Sequence, residues 1–236
     1  MLPLFLGLHL IKTKKNIYDN YLIGLIILFV GITILLSAER VAILFYILTI
    51  FFIFFFINQY KKIIIISSLF YLIFSFIIIT NNPWAKERIF NKAIEIINVQ
   101  NDERKYVFSH QHDVLFKTAF YMFKEKPLIG HGPRMFRKLN SDPKYFVDEN
   151  SLHIHPHNFY FQLLAETGII GFSFLTCLLF YVLISFSKQL KSIIMKRKNY
   201  YSDFQICLLV SIFLSVWPLS PNGNFFSITF YVINSF

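Results

Sequence analysis

Histidines are concentrated in one polar stretch of the chain, between residues 81 and 157, which holds six of the seven. Three of these six alternate along the chain: His153, His155 and His157. Imidazoles at alternate positions of an extended strand project to one side and suit a metal ion such as zinc. Pro156 interrupts the triplet, and no nearby carboxylates complete a recognised ligand pattern. We therefore predict no metal site, and we expect solvent exposure at His110, His131 and His153.

His157 is a candidate for catalysis because a polar stripe follows it. Asn158, Gln162 and Glu166 recur every four residues, so they share one face of a helix. Glu166 lies about 12 Å along that helix from Asn158. A carboxyl group at such depth in an apolar helix usually faces the bundle interior or a wet cavity. We expect a cavity that opens to the outside with His157 at its lip; the alternative is that Glu166 only pairs with an arginine.

Arginines supply the second candidate chemistry. Arg40 stands beside Glu39 in a short polar interruption between two apolar runs. It is either an ion-paired boundary residue or a cation that awaits an anionic substrate, for which the planar guanidinium suits phosphate. Arg134, Arg137 and Lys138 add positive charge on the same side of the predicted membrane. Outward-facing arginines, a histidine and a membrane cavity together suit a lipid-linked phosphate substrate.

The composition requires a membrane around these residues. Of the 236 residues, 56% are hydrophobic and only 15% are charged, whereas soluble domains carry roughly 25% charge. This excludes a soluble globular fold, and the 30 phenylalanines exclude a disordered chain. Cys177 and Cys207 lie in apolar runs and define neither a disulfide framework nor a metal site. The net charge of +10 adjoins apolar runs, which favours membrane orientation and lipid contact over nucleic-acid binding.

Five apolar segments approach the roughly 20 residues that cross a bilayer. They are residues 21–37, 41–58, 63–80, 158–187 and 204–220. Shorter apolar stretches at 1–11 and 228–236 indicate partial spans at both ends. We therefore predict an all-α polytopic membrane protein with about five full transmembrane helices. Its three parts are a membrane region (1–80), a long outside loop (81–157) and a second membrane region (158–236).

Basic residues in the short loops orient these segments. If the five spans cross the membrane in alternating directions, ten basic residues lie on the same side, which is then the cytoplasmic side. They are Lys12, Lys14, Lys15, Lys61, Lys62, Lys188, Lys191, Lys196, Arg197 and Lys198. The long loop then lies on the opposite side of the membrane, outside the cytoplasm.

The long loop contains a predicted amphipathic helix at residues 113–126. Its apolar residues recur at helical spacing: Leu115, Phe116, Ala119, Phe120 and Phe123. Ser109 is a candidate N-cap, and Pro127 ends the helix. The glycine-rich sequence that follows, from Gly130 to Arg134, predicts a turn. We expect the helix to lie on the membrane surface.

Three linked motifs resemble those of the O-antigen ligase/polymerase superfamily. They are KPLIGHGP at 126–133, HNFYFQ at 157–162 and ETGIIG at 166–171. The segments SAER at 37–40 and WPLSPNGNFF at 217–226 are similar to further elements of that family. The similarity covers roughly residues 21–236, and the order of the motifs is more specific than any one of them.

This resemblance implies an inner-membrane glycosyltransferase that works on the periplasmic face without a cofactor, metal or nucleotide. The donor would be a glycan on undecaprenyl diphosphate, and the acceptor would be lipid A-core for a ligase or a growing glycan for a polymerase. Protein O-glycosylation is a third choice of acceptor. Transferred to this chain, His157 is the general base that activates the acceptor hydroxyl, and Arg40 binds the donor diphosphate. The expected substrate-binding residues are His112, Arg134, Arg137, Asn158, Gln162 and Glu166.

The chain departs from the family pattern in two ways. Many members carry an arginine seven residues before a small residue of the loop helix, but here His112 precedes Ala119 at that spacing. A protonated His112 could still bind phosphate, and Arg134 is the substitute cation. Five spans are also about half the family's number, so a truncated, inactive family member is one alternative. A transporter for lipid-linked sugars is another, although such proteins place their sites near the bilayer midplane.

Overall fold

The computed structural model describes residues 2–3, 6, 17–57, 61–91, 94, 109–221 and 223–226. Its six longer helices are α1 (Ile17–Ser37), α2 (Arg40–Phe56), α3 (Lys61–Asn81), α4 (His110–Glu125), α5 (Phe159–Ile194) and α6 (Asp203–Ser215). Short helical turns occupy Pro83–Lys86, Glu87–Asn91, Phe136–Leu139 and Glu149–Ser151. No β-strand occurs within the described residues, and the all-α prediction is confirmed.

Each of the five predicted spans contains a helix, but the helices differ in length. Among the described residues, α3 with 21 residues and α5 with 36 residues are long and apolar enough to cross a membrane. The other apolar helices, Tyr21–Ser37, Arg40–Phe56 and Asp203–Ser215, are shorter. Two candidate spans are therefore observed where five were predicted. The predicted partial spans at 1–11 and 228–236 lie outside the described residues, apart from residues 2, 3 and 6.

The described residues form two compact units. The first contains α1, α2, α3, α6 and the part of α5 from residue 181 onward. The second contains α4, the rest of the loop after it, α5 up to residue 180, and the described part of 216–226. This division cuts across the three parts predicted from sequence, because the start of α5 packs with the loop that precedes it.

Close helix packing holds the first unit together. A Cβ on Gly24 would lie 2.8 Å from the Ile63 side chain, and one on Gly31 would lie 2.7 Å from the Tyr46 ring. Small residues at such positions let apolar helices approach closely. Ser67 donates a hydrogen bond of 3.2 Å to the Gly24 carbonyl. A cluster of rings adds further contacts between α2, α5 and α6, formed by Phe52, Phe56, Phe186 and Phe213.

A tight turn joins α1 to α2 and sets the position of Arg40. Ala38 is buried with a left-handed φ of 51°, so the chain reverses within two residues and Arg40 becomes the first residue of α2. Glu39 pairs with Arg88, whose guanidinium also lies 5.5 Å from the centroid of the Trp84 ring. The carboxylate beside Arg40 is thus already bound by another arginine.

In the second unit, α4 packs one face into a small core. The core contains Leu115, Phe116, Ala119, Met122, Phe136, Tyr145 and Ala165. The Phe116 and Phe161 rings stack with their centroids 4.2 Å apart. The predicted amphipathic helix is therefore present, but its buried face differs in part from the predicted face. Met122, which was not predicted to be buried, is buried, whereas Phe120 is exposed.

Two glycines lock the loop after α4 against α5. The Gly132 N–H donates to the Glu166 carbonyl at 2.8 Å, and the Ile169 N–H donates to the Pro127 carbonyl at 2.8 Å. Gly130 and Gly168 face each other's segments with left-handed φ of 65° and 63°. A Cβ on either would stand 2.4–2.5 Å from backbone atoms of the opposite segment. We call this backbone contact the glycine lock.

Gly168 also divides α5 into two helical parts. Its φ of 63° and ψ of −159° are not helical, so the helix bends there. The bend frees the N–H groups of residues 169 and 170, which bond instead to the carbonyls of Pro127 and Leu128. Residues before the bend are mostly buried by the loop, while Ile169 and Ile170 after it are exposed.

We predict that Gly130→Ala and Gly168→Ala each destabilise the loop strongly. The left-handed conformation costs an alanine roughly 1–2 kcal/mol, and the close backbone contact adds further strain. Thermal unfolding and trypsin cleavage of the purified protein would measure the effect.

Gly223→Ala is the matched control for this experiment, because a Cβ there meets no atom within 4 Å. It should leave stability and cleavage unchanged. Wild-type stability in both lock variants would show that the close backbone contact is not required.

Candidate active site

His157 stands where the loop enters α5. Its backbone has a left-handed φ of 56°, which is uncommon for a residue other than glycine. The next residue, Asn158, caps α5: its Oδ1 accepts the N–H groups of Tyr160 at 2.9 Å and Phe161 at 3.3 Å. The helix cap and the turn therefore fix the backbone on which the His157 side chain is carried.

Three other imidazoles surround His157. Its ring centroid lies 4.3 Å from that of His155, 5.6 Å from that of His153 and 6.1 Å from that of His112. Gln111 donates to His153 Nε2 at 2.8 Å, since that nitrogen accepts in the neutral tautomer. This histidine cluster (residues 112, 153, 155 and 157) joins α4 to the end of the loop.

The cluster keeps His157 neutral. Burial, together with the neighbouring imidazoles of His155, His153 and His112, lowers the pKa of the His157 imidazole to about 4. At neutral pH the ring therefore carries a free lone pair that can accept a proton.

The surroundings of His112 disfavour its protonated form. This histidine lies in the first turn of α4, where its Nδ1 is 2.7 Å from Ser109 Oγ. Burial, followed by the charge of His153, lowers the pKa of the His112 imidazole below its ordinary value. Binding of phosphate by a protonated His112 stays a prediction.

The polar stripe on α5 is buried and bonded within the chain. The Asn158 amide donates to the Pro218 carbonyl at 2.7 Å. The Gln162 amide donates to Glu166 at 3.0 Å and to Asn224 at 2.9 Å, and its oxygen accepts the Phe225 N–H at 2.9 Å. The common face predicted from sequence is thus observed, and it ties Pro218, Asn224 and Phe225 to the start of α5.

Glu166 is 1% exposed and joins the stripe to the loop. One carboxylate oxygen accepts the Phe136 N–H at 3.0 Å and the other accepts Gln162. Arg134 contributes a backbone hydrogen bond and its positive charge to the same carboxylate, while its guanidinium donates to the Phe226 carbonyl at 3.2 Å. The burial of Glu166 therefore comes from the surrounding loop, and Arg134 is one of its partners. The cavity open to the outside, with His157 at its lip, stays a prediction.

Comparison with known families identifies the family of the chain. The sequence profile of the O-antigen ligase family matches residues 24–176, more than half of the chain. The chain belongs to the O-antigen ligase family. Neither the curated proteins nor the solved structures include a match to it.

The family match includes Arg40, which starts α2 in the first unit. Its side chain is exposed, and it forms no hydrogen bond or ion pair with any other described residue. Among the remaining cations expected in an O-antigen ligase site, Arg137 and Lys138 are exposed in the turn Phe136–Leu139. These two side chains, unlike that of Arg134, are available to a ligand.

The other loop histidines of this O-antigen ligase family member have structural bonds. His110 Nε2 lies 2.9 Å from Asp148 Oδ2, and His131 Nε2 lies 2.9 Å from the Met122 carbonyl. The exposure expected at His131 and His153 is therefore only partial. Within the part of the chain that the structure describes, no three His, Cys, Asp or Glu side chains are arranged to hold a metal ion.

Sequence reasoning missed the polar centre that shapes the loop. Ser151 is fully buried, and its Oγ accepts the Thr118 hydroxyl at 3.0 Å and the Val147 N–H at 3.0 Å. The Asn140 amide donates to the carbonyls of Ser151 at 2.8 Å and His153 at 2.7 Å. The one sequence signal was Asp148 three residues before Ser151, the spacing of a capping box.

Proposed function

We propose that this chain transfers a glycan from undecaprenyl diphosphate to an acceptor hydroxyl at the periplasmic face of the bacterial inner membrane. The observation that carries this proposal is the neutral, half-buried His157 imidazole held at the junction of the loop and α5. The five predicted apolar helices supply the membrane region, and the long loop supplies the reaction chamber on the outside.

His157 acts as the general base. The acceptor hydroxyl gives its proton to the imidazole while its oxygen attacks the anomeric carbon of the donor sugar. The bond from that carbon to the diphosphate oxygen breaks, and undecaprenyl diphosphate leaves with the bonding electron pair. No metal, nucleotide or other cofactor takes part. A base placed in this way contributes about 10²–10⁴-fold to the rate.

Arg40 binds the donor diphosphate and stabilises the charge that grows on the leaving group. Two features of the first unit support this role. The guanidinium is exposed at the start of α2, and Glu39 is held by Arg88. Further along α2, an apolar groove of about 560 Å³ lies between α2 and α3, lined by residues such as Tyr46, Phe54 and Leu69. A lipid-linked phosphate requires both a cation for its phosphate groups and an apolar surface for its lipid chain.

Asn158, Gln162 and Glu166 act as positioning residues. Both donor hydrogens of the Gln162 amide and its oxygen are engaged within the chain. The Glu166 carboxylate is likewise bonded through both oxygens. Such groups hold the base in place and leave little capacity for a sugar. The exposed Arg137 and Lys138 are better suited to contact an anionic acceptor such as lipid A-core.

We predict that His157→Ala and His157→Asn each lower transfer by about 10²–10⁴-fold. Asparagine is the sharper test, because it tolerates the left-handed backbone but cannot serve as the base. The assay uses the full chain in proteoliposomes with labelled undecaprenyl-diphosphate glycan and lipid A-core. Label on lipid A-core identifies a ligase, and longer lipid-linked chains identify a polymerase.

His110→Ala is the control, since His110 lies in the same loop and pairs with Asp148. It should retain near-normal transfer. Near-normal transfer by both His157 variants would refute the general-base role.

We predict that Arg40→Lys lowers transfer at least ~10-fold, because an ammonium group cannot make the bidentate contact with phosphate. Arg88→Lys, at an arginine already bound to Glu39, should have a much smaller effect. Equal activity of Arg40→Lys and the wild-type chain in the same assay would contradict diphosphate binding by Arg40 and would show that it is only a residue at the membrane boundary.

A further inference from the structure

The loop exposes two adjacent apolar side chains shortly after α4. Leu128 is 67% exposed and Ile129 is 70% exposed, and they follow Pro127 directly after α4. We call residues 127–129 the loop tip. Neither the proposed reaction nor the core of the second unit uses these side chains, although the backbone that carries them is fixed by the glycine lock.

The loop tip continues the exposed apolar face of α5. The Pro127 and Leu128 carbonyls accept the N–H groups of Ile169 at 2.8 Å and Ile170 at 3.4 Å. Ile170 is itself 64% exposed, and Phe174 one turn further on is also exposed. The tip therefore stands at the same level along α5 as the first residues after the bend.

That level corresponds to the edge of a membrane span. Residues 169–187 contain no charged side chain, and Lys188 follows them. About 19 helical residues extend roughly 28 Å, close to the thickness of the hydrocarbon core. Before Gly168, by contrast, α5 carries Glu166 and is buried by the loop. The bend at Gly168 thus marks the boundary between the part of α5 that suits lipid and the part that packs in the loop.

The residues that precede the tip suit a membrane interface. Lys126 is exposed next to Pro127. The Lys124 ammonium lies 4.9 Å from the centroid of the exposed Phe120 ring and 5.9 Å from that of Tyr121. Lysines that reach toward phosphate groups and aromatic rings at headgroup level are typical of this region.

We infer that the loop tip inserts into the adjoining leaflet of the phospholipid bilayer and anchors the second unit at the membrane surface. Leu128 and Ile129 enter the acyl region, and Lys124 and Lys126 meet the lipid phosphates. The glycine lock transmits this anchorage to the part of α5 that begins next to His157. The inference requires that α5 crosses the membrane, but it does not depend on the proposed reaction.

Spin-label accessibility in liposomes of phosphatidylethanolamine and phosphatidylglycerol tests this anchorage. Ile129→Cys and Ile154→Cys are labelled in full chains that carry Cys177→Ser and Cys207→Ser. Ile154 is the matched control, because it is an isoleucine of the same loop with 63% exposure. The exposed native Cys177, labelled in a Cys207→Ser chain, provides the reference within the span.

For each label, the measured quantity is the ratio of its accessibility to oxygen to its accessibility to a water-soluble nickel complex. At position 129 this ratio should be severalfold greater than at position 154 and similar to that at Cys177. Equal access to the nickel complex at positions 129 and 154 would overturn the inference, and so would a water-exposed label at Cys177.

A second measurement needs no substitution. The wild-type chain is irradiated in liposomes that contain a phospholipid with a diazirine on its acyl chain, and the products are mapped by mass spectrometry. Cross-links should appear on residues 127–129 as well as on the span, but not on residues 152–154. Cross-links on 169–187 without any on the loop tip would contradict the anchorage.

Discussion

The second unit depends on a backbone contact that tolerates no side chain. Gly130 and Gly168 bring two segments, nearly forty residues apart in sequence, close enough for direct N–H to carbonyl bonds. Because both residues have left-handed φ, a side chain at either position is excluded by conformation as well as by space. The bend in α5 and the burial of Glu166 both follow from this contact. Two glycine motifs that look like separate turns in the sequence are one structural element.

The polar stripe on α5 extends this element toward the site. Glu166 accepts a hydrogen bond from the Phe136 N–H of the loop, and Gln162 accepts one from the Phe225 N–H. Asn158 caps the helix beside His157. Buried polar groups are costly unless they are bonded, and fully bonded networks favour one conformation. The stripe thus fixes the backbone next to His157, the proposed base, while the side chains of Arg40 and Arg137 are exposed.

Much of the helical structure and of the polar stripe could be predicted from sequence, and the features that could not be predicted have physical reasons. Apolar runs and four-residue spacing predicted the helices and the common face of Asn158, Gln162 and Glu166. The buried face of α4 was predicted incorrectly at Phe120, because hydrophobicity does not distinguish a side chain that faces protein from one that faces lipid. The approach of His112 to His157 and the partners of Gly130 were not predictable, since contacts between distant segments leave no local pattern. The pairing of Glu39 with Arg88, 49 residues away in sequence, was not predictable for the same reason.

The pH dependence of glycan transfer tests the role of His157 most directly. Because burial and the neighbouring imidazoles together lower the pKa of the free His157 imidazole to about 4, kcat/KM should stay level as the pH falls from about 7 to about 5. It should then drop to half near pH 4, as the base becomes protonated. The residual activity of His157→Asn should lack this acid limb. Half-loss of wild-type activity near the ordinary histidine pKa of 6.5, or the same acid limb in the variant, would contradict a buried, neutral His157 as the base.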